Sequence, residues 1–176
     1  MEIHMNMPVS REEVMKLKAG DRVFLSGEIY TARDAAHKRM VEAARRGEGY
    51  PFPIEGSAIY YAGPAPAKPG AVIGSVGPTT SGRMDAYAPE VIAAGNLIMI
   101  GKGERSPEVI EAMKKYGAVY LAAPGGAGAL IARTVKSCEA AAYPDLGAEA
   151  VYRLAVSDMP LIVAIDSRGG NLYERL

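Results

Sequence analysis

The sequence predicts an α/β fold with a mixed sheet and flanking helices, and three observations carry that prediction. Short apolar runs of strand length alternate with helix-favouring stretches. Glycine and proline, 20 and 12 of the 176 residues, fall in clusters between these runs and mark them off as loops. Near the carboxyl end, two strand-like runs flank a tight-turn signal. Strand-loop-helix units call for parallel pairing, and a terminal hairpin adds antiparallel pairing to the same sheet.

Arg22–Gly27 reads as a strand ending at glycine, with a helix to follow. Thr31 suits the N-cap, Asp34 stands three residues later in capping-box spacing, and Ala35, Ala36, Met40, Val41, Ala43 and Ala44 carry the helix to Gly47. Ser57–Ala62 and Ala71–Val76 are strand-like, each leading into a Gly-Pro step. Asn96–Gly101 is a compact apolar strand, and Ser106-Pro107-Glu108 starts a helix that runs to Tyr116-Gly117. Ala118–Ala123 is the next strand. Ala150–Ser157 and Leu161–Asp166 form the hairpin around Asp158-Met159-Pro160. The length suits one domain over residues 1–176 with a sizeable core, and no internal repeat or low-complexity segment interrupts it.

Lys and Arg number 20 against 20 Asp and Glu, which argues against nucleic acid as the main partner, since neutralising phosphates needs an excess of cations. No apolar run approaches the ~20 residues of a membrane helix, and Met1–Asn6 lacks the basic and apolar regions of a signal peptide. The expectation is a cytoplasmic protein without a membrane partner. One cysteine, Cys138, cannot build an internal disulfide, a multi-cysteine zinc site or an iron-sulfur cage, so no metal is expected on this chain, and any such cofactor would sit on another. Cys138 has no obvious His partner and reads as a packed small side chain; His4 lies in an exposed amino-terminal segment.

Four loops are candidates for chemistry. In Thr31–Arg39, Arg33 and His37 share one helix face and Asp34 and Lys38 the next. An arginine in the first turn opposes the helix dipole unless an anion binds there; the alternative is a solvated charged face. Gly77–Asp85 sets three hydroxyls, Thr79, Thr80 and Ser81, between glycines and ahead of Arg83. Hydroxyls donate and accept and arginine grips carboxylates, although a plain turn has a similar composition. Gly101-Lys102-Gly103 follows an apolar strand, where ligands of open α/β sheets gather, but a solvated loop lysine is equally common. Pro124–Leu130 is glycine-rich yet short of a dinucleotide fingerprint, and tight helix-sheet packing is its better explanation. Arg33, Arg83 and Lys102, with hydroxyls between them and no clustered carboxylates, suit a small polyanion such as a dicarboxylate.

The ordered set Leu25–Gly27 through Thr31–Arg39, then Gly77–Asp85, then Gly101–Gly103 resembles the β subunit of class I fumarate hydratase. The carboxyl-terminal half of single-chain members and the β subunit of L-tartrate dehydratase share it. The resemblance runs from about Pro8 to Tyr173. It implies a swivelling β/β/α domain and reversible hydration of fumarate to (S)-malate, with L-tartrate dehydration to oxaloacetate as the near alternative. A non-catalytic anion-binding module on the same fold is the alternative from another class. It also implies a partner, the cluster-bearing α subunit, whose labile 4Fe-4S cluster has one iron free to act as a Lewis acid, with the active site between the two parts. By the same resemblance Arg33, Arg83 and Lys102, with Thr80 and Ser81, bind the substrate, and Thr79 is the base. Asp34 and His37 relay protons or orient Arg33. This chain would bind no cofactor alone and could self-associate.

Overall fold

The computed structural model describes residues 1–123, Gly126 and residues 128–175. Seven strands alternate with five α-helices: β1 (Glu2–Asn6), α1 (Arg11–Met15), β2 (Arg22–Thr31), α2 (Asp34–Arg45), β3 (Ala58–Tyr60), α3 (Ala88–Ala93), β4 (Ile98–Gly101), α4 (Pro107–Tyr116), β5 (Val119–Ala122), α5 (Gly128–Thr134), β6 (Val135–Ala142) and β7 (Val151–Ile165). Short 3-10 segments occupy Ser81–Met84, Pro144–Glu149, which is kinked at the non-helical Gly147, and Leu172–Arg175.

Pairing runs β2-β3-β4-β5 in parallel, continues antiparallel from β5 to β7, and returns antiparallel from β7 to β2, so the five strands form a closed ring. β1 adds in parallel to β2, and β6 adds antiparallel to β7. The mixed sheet expected from the sequence is present. Helices join each neighbouring parallel pair, as parallel connections require.

The apolar runs of β3, β4 and β5 are continuous because both of their faces are buried. Ala58, Tyr60, Ile98, Ile100, Val119 and Leu121 face the antiparallel strands, against Val23, Leu25, Ile29, Leu154, Met159 and Val163. The alternate residues Ile59, Met99 and Tyr120 face Ala36, Met40, Val91, Ile92, Val109 and Met113 of α2, α3 and α4. Each fully buried Val, Leu or Ile contributes about 1.5–3 kcal/mol, so a one-residue slip that exchanged the two faces would be strongly disfavoured.

Four expectations need correction. β2 does not end at Gly27; it continues to Thr31 across a register shift. Gly27 (φ 110) is there because a Cβ would lie 2.8 Å from Cβ of Met7, not to stop the strand. Thr31 is therefore a strand residue paired with both Tyr60 and Tyr152, its Oγ1 accepts from the Tyr152 N–H at 3.1 Å, and the N-cap of α2 is Arg33. Ala71–Val76 is not a strand: Ala65 N–H donates to Ser75 O, Val76 N–H donates to Gly128 O, and Val76 O accepts from the Tyr60 hydroxyl, so no neighbouring strand receives this segment. The terminal hairpin is one strand, β7, which passes the turn signal through a bulge: Asp158 (φ 52) donates its N–H to Ser26 Oγ at 2.9 Å, and two residues oppose one.

α4 forms as its signals require, with Ser106 Oγ accepting from the Val109 N–H at 3.3 Å, Pro107 in the first turn and Gly117 left-handed (φ 78) at its end. Among the described residues no helix is long and apolar enough to cross a membrane.

Candidate functional site

Because β2, β3 and β4 are parallel neighbours, their carboxyl ends share one edge, and the three candidate loops meet there. Arg33 lies two residues beyond β2, Tyr61–Gly63 follows β3, and Lys102 follows β4. The segment carrying the hydroxyls crosses between them. Thr79 N–H donates to Tyr61 O at 2.8 Å, Thr80 bridges to Lys102, and Ser81 N–H donates to Lys102 O at 2.9 Å. Gly63 leaves room for Arg33, whose Cδ would stand 3.3 Å from a Cβ at that position.

Arg83 and Lys102 are exposed and enter no ion pair among the described residues. Arg33 is half-buried, with Nε 3.8 Å from both Asp34 Oδ1 and Glu149 Oε1. That is ion-pair range but too long for hydrogen bonds, and all three atoms are buried without a hydrogen-bond partner. Arg39 holds the Pro144–Glu149 turn against α2 through a two-pronged contact with Asp145, and this brings Glu149 to Arg33. Nothing local in the sequence marks Glu149.

His37 is buried on α2, its ring edge-on to Tyr61 at 5.3 Å. Its Nδ1 is 2.9 Å from Arg33 O. A carbonyl only accepts, so Nδ1 carries the hydrogen. Burial pushes the ring's pKa down to about 4, leaving it neutral at pH 7 with Nε2 as an unpartnered acceptor.

Ser81 is fully buried. Tyr120 donates its hydroxyl hydrogen to Gly103 O at 2.8 Å, so Ser81 Oγ, 2.8 Å from that hydroxyl, is the donor to it. Ser81 is thus tied to the Lys102 loop by its backbone and, through Tyr120, by its side chain. Gly101 completes the fit, because a Cβ there would come within 2.0 Å of Ser81 Oγ.

Beneath these loops lies a cation that sequence reading missed. Arg105 Nε donates to Asp85 Oδ1 at 2.8 Å, and its other nitrogens reach Tyr61 OH at 3.2 Å and Met99 Sδ at 3.4 Å. Its available signal was Asp85 at the end of one motif and Arg105 just beyond the other, which local patterning does not connect.

Of the expected site residues, the fold gathers Arg33, Asp34, His37, Thr79, Thr80, Ser81 and Lys102 around the ends of β2, β3 and β4; Arg83 stands on the turn that Ser81 begins. Pro124, Gly125 and Ala127 of the glycine-rich turn lie outside the described residues. Its Gly128 packs against Ser75 and Gly77, where a Cβ would meet Ser75 Oγ at 2.3 Å. Among the described residues no group of three His, Cys, Asp or Glu is placed to hold a metal ion. Cys138, on β6, has its thiol pKa raised by burial, and a single protonated thiol does not fit the donor set of a 4Fe-4S cluster.

The class defined by this arrangement is an α/β chain whose polar and cationic loops share the carboxyl edge of its parallel strands. The chain belongs to the family described as Fumarase C-terminus, whose sequence profile matches residues 1–176. It is 44% identical over 174 residues to a Methanocaldococcus jannaschii protein provisionally named L(+)-tartrate dehydratase subunit beta, covering 96% of this chain and 89% of that one. It is 35% identical to the L(+)-tartrate dehydratase subunit beta of Escherichia coli, covering 94% of this chain and 83% of that one. Against the aerobic class I fumarate hydratase of Salmonella typhimurium the identity is 38% over all of this chain, but only 31% of the relative is covered. The chain thus spans about a third of the class I fumarate hydratases it matches.

Proposed function

We propose that this chain is the β subunit of a two-subunit hydro-lyase that interconverts fumarate and (S)-malate, on a swivelling β/β/α domain. The observation that carries the reading is the convergence at one strand edge of Arg33, the Thr79 hydroxyl segment and Lys102, with Lys102 and Arg83 exposed and in no ion pair among the described residues. Dehydration removes a proton from the carbon beside one carboxylate of malate and hydroxide from the adjacent carbon; hydration reverses both. Charge builds on that carboxylate as the proton leaves. Arg33, Arg83 and Lys102, held beside it with Thr80, stabilise the transition state more than the bound ground state.

Thr79 is the proposed proton carrier at carbon. A threonine hydroxyl is a weak base, and positive charge from the neighbouring cations favours its alkoxide. Ser81, a substrate contact by the resemblance, is buried with its hydroxyl given to Tyr120, so its proposed part is to tie the hydroxyl segment to the Lys102 loop. Asp34 and Glu149 hold Arg33 from two sides, and the neutral His37 fixes the Arg33 carbonyl. A 4Fe-4S cluster, proposed to reside on an α-subunit partner, would supply Lewis acidity toward the substrate hydroxyl. The coverage of 89% and 83% of two relatives named subunit beta supports the two-subunit arrangement.

The same relatives favour L-tartrate as the second candidate substrate, so the test is reconstitution with a cluster-bearing partner and assay on both dicarboxylates. Thr79→Val preserves shape and removes the hydroxyl. Its kcat is expected to fall by about 100-fold or more while the fold is unchanged, and substantially retained turnover rules out Thr79 as base.

A further inference from the structure

We infer that Arg105 is a positioning residue: with Asp85, Tyr61 and Tyr120 it sets the spacing between Arg83 and Lys102 without touching substrate. The inference rests on the reading of those two cations as carboxylate ligands. The segments 81–85 and 102–106 are clipped together at both ends. At one end Ser81 N–H meets Lys102 O at 2.9 Å, and at the other Ser106 N–H meets Asp85 Oδ2 at 2.8 Å. Arg105 supports the second clip, because its Nε holds the other Asp85 oxygen at 2.8 Å. Arg83 lies between the clips on one segment and Lys102 stands at the first clip on the other, so neither can drift while both clips hold.

The surroundings of Arg105 extend the brace to the rest of the site. Its guanidinium lies between two rings, 5.1 Å from the Tyr61 centroid and 4.8 Å from that of Tyr120. Tyr61 carries the carbonyl that receives Thr79, and Tyr120 links Ser81 to Gly103. One side chain therefore touches residues bound to the hydroxyl segment and to both sides of the Lys102 turn. Stability alone does not call for it, since a buried ion pair is often replaced by apolar residues without loss. A lysine would keep the charge but not the planar fork that reaches Asp85 and Tyr61 together or stacks between rings.

The test uses this chain assembled with its cluster-bearing partner, and compares Arg105→Lys with Val14→Ala, a core change on α1 that lowers thermal stability. Two readouts are taken: kcat and KM on fumarate and L-tartrate, and hydrogen exchange at the Ser81 and Ser106 amides of this chain. Arg105→Lys is expected to lower kcat/KM by about 30-fold or more, acting on both kcat and KM, because misplaced cations weaken ground-state binding and, more strongly, transition-state stabilisation. The two amides are expected to exchange about 10-fold faster, with the β2 and β7 amides unchanged. Val14→Ala keeps kcat/KM within about threefold, as a change in global stability alone leaves the site geometry intact. Tyr61→Phe, which removes one hydroxyl and little volume, gives a smaller loss in the same direction and serves if Arg105→Lys fails to fold.

Exchange at the wild-type rate in the variant, or kcat/KM within about threefold of wild type, overturns the inference. An assembled wild-type enzyme inactive on both dicarboxylates instead overturns the proposed function, and the exchange measurement then decides the brace by itself.

Discussion

Two groups of positive charge stand within a few residues of each other, and the fold treats them oppositely. Arg105 is buried, its guanidinium engaged by a carboxylate, a phenol and a thioether and enclosed by two tyrosine rings. Arg83 and Lys102, on the same two segments, are exposed and enter no ion pair among the described residues. The first cation is committed to the protein. The second pair has no side-chain hydrogen bond or ion pair among the described residues, and the contrast separates the proposed support from the proposed ligand contacts more sharply than residue type does.

Removing the countercharge from the buried cation is the severest way to break this division. Asp85→Asn leaves the Arg105 guanidinium uncompensated, with an expected loss of about 3–5 kcal/mol in urea unfolding. A loss below about 1 kcal/mol would mean that Arg105 finds other compensation and that its burial is not what distinguishes it.

His37 sharpens the comparison from the buried side, and Arg105 adds to the burial that keeps its ring uncharged. Its folded pKa of about 4 lies below the value of 6.5 for a free imidazole, so the unfolded chain takes up the proton first as pH falls. Its contribution is constant above pH 6.5 and increasingly destabilising from there toward pH 4, reaching about 3 kcal/mol. The difference in unfolding free energy between wild type and His37→Gln is therefore expected to shift by that amount between pH 7 and pH 4, and parallel curves would refute a neutral buried ring.

Lys102→Ala approaches from the exposed side. Unfolding free energy is expected to stay within about 0.5 kcal/mol of wild type, while kcat/KM on the dicarboxylate falls about 100-fold, or about 2.7 kcal/mol in transition-state stabilisation. The reverse pattern, a lost fold with kinetics intact, would dissolve the distinction between the two groups.

The legible parts of this molecule are those whose cause is local. α4 announces itself through Ser106, Pro107 and Gly117, and β3, β4 and β5 through apolar runs buried on both faces. α1 has a complete capping box in Ser10 and Glu13, but its five residues are too few to show a helical period. β2 beyond Gly27 and β7 through Asp158 are not legible, because bulges let strands continue past residues that usually end them. The site divides in the same way. Arg33, Thr79 and Lys102 stand in loops that follow strands or join them, and sequence order suffices to nominate them. Glu149 reaches Arg33 only because Arg39 holds Asp145, and Arg105 matters only because Asp85 returns to meet it. Those meetings belong to tertiary structure.

The contact between Gly101 and Ser81 constrains how the chain can diverge. A Cβ at position 101 would displace the serine hydroxyl and would also stand 3.0 Å from Tyr61 Cδ2, so the two positions are expected to be coupled. Loss of the hydroxyl relieves the shortest of these contacts, and a chain without it must function without the link from Ser81 to Tyr120. A chain built with alanine at 101 alone, set beside one that also carries alanine at 81, would expose how far the tolerance of one position depends on the other.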